Sequence, residues 1–178
     1  VWVVAVLATF YLYTTHRDRP IRLWSWTGET MGTTYTVKIV DAHLDNKEFG
    51  NLQSEVEQIL LRINDLVSTY RDDTEISRFN HHHSTEPFTV SPELAEVTRQ
   101  ALTMSALSKG AFDPTFSPLF DLWGFGPHGS KKIPSEAEIQ ATQPLCGYSN
   151  LVVLSSNQLQ KKNPSLQIVL NAIAPGYA

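Results

Sequence analysis

The sequence has one cysteine, Cys146, among its 178 residues. That excludes an intrachain disulfide and every zinc site built on paired thiolates, so compartment cannot be read from its thiols. Charge is sparse as well: Lys+Arg 14 against Asp+Glu 18, a formal net charge of −4, with no basic run longer than two residues, as at Lys131-Lys132. Such a balance argues against a nucleic-acid duplex or an anionic membrane face as chief partner. There is no internal repeat and no low-complexity tract. An initiator methionine is also missing: the sequence starts at Val1 and stops at Pro175-Gly176-Tyr177-Ala178 without a charged tail. The expectation is a piece of a longer chain, lacking sequence at both ends. What is present is 42% hydrophobic residues, enough for one globular domain with its own core.

Residues 1–13 form an apolar run with Thr9 as its polar residue, closed by His16-Arg17-Asp18-Arg19. As a helix the run reaches ~20 Å, short of the ~30 Å hydrocarbon core. Preceding residues would complete either the apolar region of a signal peptide or an uncleaved membrane anchor; a buried core strand is the third reading. No clean small-x-small cleavage site follows Tyr11-Leu12-Tyr13-Thr14-Thr15. The expected organisation is a signal or anchor with a charged flank over residues 1–19 and a single domain over 20–178.

After a linker holding Pro20, Trp24 and Trp26, the segment 34–40 alternates, with Tyr35, Val37 and Ile39 on one face; this predicts a half-buried strand. Phe49, Leu52, Val56, Ile59, Leu60, Ile63, Leu66 and Val67 recur at three and four residues, predicting a long amphipathic helix over 46–68 packed on a sheet. Ser91-Pro92 reads as an N-cap with proline at the first helical position. A stripe of Leu94, Val97, Ala101, Met104 and Leu107 follows, and Gly110 offers a left-handed stop. Ser135 and Glu138 have capping-box spacing for a short third helix, and 151–154 and 166–170 read as strands. Strands and helices mix without βαβ regularity, which points to the α+β class.

Among candidates for chemistry, His81-His82-His83 reads as a solvated loop: consecutive side chains diverge, and no carboxylate or cysteine sits at helical ligand spacing. Gly28-Glu29-Thr30-Met31-Gly32-Thr33-Thr34 reads as a hairpin entry before a strand. Tyr70, behind a helix end, either stacks on a flat heterocycle or closes the core. The stretch 110–127 combines three glycines and three prolines with Phe112, Phe120, Trp123 and Phe125. It makes a poor helix or strand. Either a self-packed Ω-like loop or a planar ligand held by backbone amides around residues 110–113 would rigidify it. The small residues after the apolar run 166–170 allow close approach of backbone carbonyls, which suits a hard cation or tight packing.

Five stretches occur in order: Thr30-Met31-Gly32-Thr33; Leu66-Val67-Ser68-Thr69-Tyr70 with Ser77-Arg78-Phe79-Asn80; Gly110-Ala111-Phe112-Asp113 running into Leu122-Trp123-Gly124-Phe125-Gly126-Pro127; Ile133-Pro134-Ser135; and Ala172-Ile173-Ala174-Pro175-Gly176-Tyr177-Ala178. Together they resemble the ApbE family of FAD:protein FMN transferases over roughly residues 28–178, the N-terminal half of a member. The resemblance implies an α+β fold of the family's own type, a mixed sheet with packed helices, incomplete in this chain. It implies a transferase that uses FAD as substrate and Mg²⁺, moving the FMN moiety onto a threonine hydroxyl of an acceptor protein with release of AMP. By motif position Met31, Tyr70, Ala111, Phe112 and Asp113 correspond to flavin-contacting residues and the carbonyl of Ala172 to a magnesium ligand. The remaining metal ligands, an Asp and a Thr, and a histidine-containing loop would lie beyond Ala178.

Attack of a hydroxyl on a diphosphate requires charge neutralisation by a cation and a base for the proton. No base is evident here. Asp113 is open to that role or to holding its loop through backbone N–H groups. Two positions depart from the family pattern: Val169, where an acidic residue is usual, and Pro175, where lysine is frequent. Neither offers a polar side chain to a phosphate or ribose, so an FAD-binding exported protein that does not transfer is the alternative expectation, and a tethered interaction domain without cofactor is a third. The expected location is the periplasmic face of the cell inner membrane, with membrane association through the N-terminus and no nucleic-acid partner. Residues 1–178 alone are expected to be inactive.

Overall fold

The computed structural model describes residues 20–126, 129, 132–155 and 157–178; the expected signal or anchor at 1–19 lies outside them. Two compact units, Val1–Gln58 and Ile59–Ala178, divide inside the long helix. Among the described residues no helix is long and apolar enough to cross a membrane.

In the first unit, β1 (Arg22–Thr30) pairs antiparallel with β2 (Thr33–Asp41), from Arg22 opposite Asp41 to Thr30 opposite Thr33. Tyr35, Val37 and Ile39 are half-buried with exposed residues between them, as the alternation predicts. The expected linker around Trp24 and Trp26 is instead β1. Two tryptophans two residues apart share one strand face, and their rings pack on Phe49 at 5.0 and 5.5 Å between centroids. The segment 28–34 is the hairpin entry it reads as, with Gly28 an interior strand position opposite Tyr35, whose ring would stand 2.6 Å from a Cβ there. The turn itself is Met31-Gly32, both with positive φ (50° and 73°), the sign a two-residue type I′ hairpin requires.

Helix α1 (Asn46–Val67) matches the predicted span, and its Phe49 packs on the β1 tryptophans. It starts on a reciprocal cap: Asp45 Oδ1 accepts the N–H groups of Lys47 and Glu48 at 2.8 Å, and Glu48 Oε2 accepts that of Asp45 at 3.0 Å.

In the second unit α2 (Glu75–His81), capped by Thr74, was not legible from periodicity; its seven residues bury Ile76 and Phe79. Helix α3 (Pro92–Leu107) has Ser91 as its N-cap, as predicted. The apolar stripe holds only for its first part. Leu94, Val97 and Ala101 are buried, whereas Met104 and Leu107 are exposed. At about 100° per residue, Leu107 has turned about 220° from Leu94, and Thr98 and Ser105 take the inner face. A three-stranded antiparallel sheet in the order β3-β5-β4 is made by β3 (Phe88–Thr89), β5 (Gln158–Lys161) and β4 (Leu151–Leu154).

The stretch read as loop contains α4 (Ser117–Leu122), with Pro118 in the first turn where no N–H is needed. Helix α5 (Glu136–Thr142) carries the full capping box of Ser135 and Glu138, and accepting two Ser135 hydrogens lowers the Glu138 carboxyl to about 2. Segment 166–170 is not a strand. Leu166, Ile168 and Leu170 are buried in alternation, but its backbone bonds to the Asn80 side chain and to the Pro114 carbonyl, so no ladder forms. A final turn, α6 (Ala174–Tyr177), follows. The result is an α+β arrangement of helices with two small antiparallel sheets.

Candidate functional site

The loop after α3 is shaped by its own hydrogen bonds. Lys109 and Gly110 both take positive φ (54° and 85°), and the Gly110 N–H donates to Ser105 O at 2.8 Å. The Phe112 N–H donates to Ser108 Oγ at 3.0 Å. Asp113 Oδ1 accepts from the Thr115 N–H (2.8 Å) and hydroxyl (2.6 Å), and its Oδ2 from the Tyr148 N–H (2.8 Å). The buried Thr115 hydroxyl accepts in turn from the Gly147 N–H at 2.7 Å. Of the two roles open to Asp113, loop-holding is the one the geometry displays: Oδ1 accepts from Thr115 and Oδ2 from the Tyr148 N–H. Ala111 is exposed, and Phe112 is half-buried.

The Trp123-Gly124-Phe125 stretch ends α4 as a Schellman motif. The Phe125 N–H donates to Phe120 O (2.9 Å) and the Gly124 N–H to Asp121 O (3.0 Å), with Gly124 at φ 82° and the two phenylalanine rings in edge contact at 6.3 Å. At Gly126 a Cβ would lie 1.8 Å from Asp121 Oδ1, so a larger residue there would require that carboxylate to move. Bonds within the stretch thus hold the turn at 120–125. Its side chains do not close the core: Phe125 is 70% and Trp123 47% exposed. Tyr70, 64% exposed, donates its hydroxyl to Phe125 O at 3.1 Å, so it joins this open aromatic rim.

Met31 sits at the tip of the β1–β2 turn in the first unit, and its non-glycine positive φ is a costly conformation. Ala172 is exposed in the turn after Leu170, which is closed by the Ile173 and Ala174 N–H groups donating to Leu170 O (3.0 and 2.9 Å). Its carbonyl accepts no hydrogen bond from a described residue, which leaves a neutral oxygen donor free. Of the two departing positions, Val169 gives its N–H to Pro114 O at 2.8 Å, and Pro175 is the second residue of α6. The histidine run splits: His81 ends α2, His82 packs its ring 5.1 Å from Phe88, and His83 is exposed. The Cys146 thiol is buried, which raises its pKa.

The family model for the ApbE family matches residues 31–178. The chain belongs to the ApbE family. It is 37% identical to the FAD:protein FMN transferase of Vibrio cholerae over 99% of its own length and 52% of that protein's. It is 38% identical to that of Salmonella typhimurium over 85% of its own length and 44% of that protein's. Its fold superposes on the flavin transferase ApbE from Vibrio cholerae with a TM-score of 0.81 at 39% identity, covering 89% of this chain and 51% of that one. For the apo form of the Pseudomonas stutzeri flavinyl transferase ApbE the TM-score is 0.79 at 38% identity, covering 88% and 52%. The chain spans about half the length of the curated relatives it matches.

All six candidate positions of this ApbE-family chain fall inside the matched region. Within the second unit, Asp113 and Ala172 are joined through short backbone links: Pro114 O meets Val169 N–H, three residues before Ala172. Sequence reasoning missed Thr115, Gly147 and Lys161. For Lys161 a signal existed: period two in Gln158-Leu159-Gln160-Lys161 puts Leu159 and Lys161 on one face.

Proposed function

We propose that the complete protein transfers the FMN moiety of FAD to a threonine hydroxyl of an acceptor protein, releasing AMP, in a Mg²⁺-dependent reaction. The observation that carries this reading is a chain in the ApbE family, 37% identical to a FAD:protein FMN transferase from end to end of its own length, that keeps a Gly110–Asp113 loop shaped by its own hydrogen bonds. In this reading Tyr70, Ala111, Phe112 and Asp113 hold the flavin half in the second unit; Met31 is assigned to the flavin by motif position alone.

A magnesium site needs about six oxygen ligands. In this reading the Ala172 carbonyl would supply one of them, and the remaining ligands would come from the rest of the protein. Bound there, Mg²⁺ supplies neutralisation of the diphosphate. This chain's own part is to bind and orient: the threonine oxygen forms a bond to the FMN phosphorus as the bond to the AMP oxygen breaks, and the threonine proton passes to a base outside residues 20–178. In this reading Asp113 holds its loop, through the hydrogen bonds it accepts from Thr115 and Tyr148.

Incubating the full-length protein with FAD, Mg²⁺ and a threonine-bearing acceptor domain should give an acceptor mass increase equal to the FMN moiety and one AMP per modification. No covalent flavin and no AMP ends this reading. Val169 and Pro175 favour a second one, an FAD-binding protein that does not transfer; tight FAD retention without turnover, indifferent to Mg²⁺, is its mark. We also propose export to the periplasmic face of the cell inner membrane, supported by the apolar run at residues 1–13. Membrane fractionation of the full-length protein with and without residues 1–19 tests it.

A further inference from the structure

The loop bearing Asp113 and the turn bearing Ala172 hang on one backbone segment, 166–170, and one side chain fixes that segment. Asn80, buried at the end of α2, donates through Nδ2 to Ile168 O and accepts at Oδ1 from the Ile168 N–H, both at 2.8 Å. Its carboxamide thereby supplies the donor and acceptor that a neighbouring strand would supply. From the other side, Lys161 Nζ donates to Asn80 O at 3.1 Å and stands 4.7 Å from the Phe79 ring centroid. Lys161 is 1% exposed, a placement that strands do not give a lysine without cause. One residue past Ile168, the Val169 N–H meets Pro114 O at 2.8 Å, and two past it Leu170 O accepts the hydrogens that close the Ala172 turn.

We propose that Asn80, braced by Lys161, is a positioning residue: its carboxamide sets the register of segment 166–170 and so couples the flavin loop at 111–115 to the carbonyl turn at 171–173. A one-residue slip of that segment would turn Leu166, Ile168 and Leu170 out of the core and release Pro114 at the same time. This rests on the proposed flavin site for its functional consequence; the coupling itself does not.

The test uses the full-length protein and the variants Asn80→Asp, Asn80→Ala and Lys161→Met. Val97→Ala in the α3 core serves as a control of comparable loss in Tm. Hydrogen exchange is followed without ligand or metal in segments 111–116 and 166–174, and FAD affinity by flavin fluorescence. In Asn80→Asp an oxygen replaces Nδ2 against Ile168 O, so exchange in both segments should rise together by about tenfold, and the FAD Kd by about tenfold. Lys161→Met should move both in the same direction by less. The control should leave FAD affinity within about twofold. The inference is overturned if the two segments keep wild-type protection, or respond separately, in folded Asn80→Asp; should the Asn80 variants not fold, the same readouts on Lys161→Met decide. Wild-type protein that neither binds FAD nor transfers FMN refutes the proposed function, while the exchange measurement still judges the coupling.

Discussion

Lys161 is a buried ammonium facing a carbonyl and an aromatic ring, and burial lowers its pKa from 10.5 to about 8. Below about pH 8 both native and unfolded states hold the proton, and the cost of burying the charge is carried in full. Between about 8 and 10.5 the unfolded chain binds more protons, so this residue's contribution to stability rises with pH, by on the order of 3 kcal/mol across the window. Urea melts should show wild type gaining on Lys161→Met from pH 7.5 to 10.5; a pH-independent difference refutes it. Asp113→Ala removes three accepted hydrogen bonds and leaves the Thr115 and Tyr148 N–H groups without a partner. It should cost roughly 2–4 kcal/mol, whereas a variant that melts like wild type would show the loop to be held by something else. Residue roles of this kind were half legible in the sequence. Asp before Pro at a glycine-rich turn suggested loop-holding as one of two roles, since its bonds to Thr115 are local, whereas its bond to Tyr148 spans 35 residues. Asn80 and Lys161 act across 81 to 88 residues of sequence, where no spacing rule reaches.

At the scale of elements, caps are the most legible features, because donor and acceptor lie within four residues. Ser91, Ser135 with Glu138, and the long helix all stand where their signals place them. Short elements were missed: α2 and α4 span two turns or fewer, too little for a 3.6-residue period to show. Residues 166–170 show the converse, a strand-like pattern that is correct about burial and silent about pairing. Gly124 closes α4 in the left-handed region. Gly124→Ala should lower stability by about 1 kcal/mol, read as a drop in Tm, and should raise exchange at the Phe125 amide. An unchanged Tm with Phe125 still protected would contradict the Schellman assignment.

At the scale of the molecule, the single cysteine already excluded a disulfide and paired-thiolate zinc, the mix of predicted strands and helices pointed to the α+β class, and the ordered motifs to the family. The division into two units was not legible, because it falls inside a continuous helix. For the proposed transferase the carbonyl of Ala172 is one ligand of several. Residues 20–178 produced alone should therefore neither flavinylate an acceptor nor release AMP, while the full-length protein does both; turnover by the shorter piece would contradict the assignment of the metal site. The Cys146 thiol lies inside the second unit, its pKa raised by burial, and next to Gly147 and Tyr148, whose amides anchor Thr115 and Asp113. Alkylating reagents therefore meet a shielded, weakly nucleophilic sulfur, and the speed at which iodoacetamide modifies it becomes a clock for how often that anchor lets go.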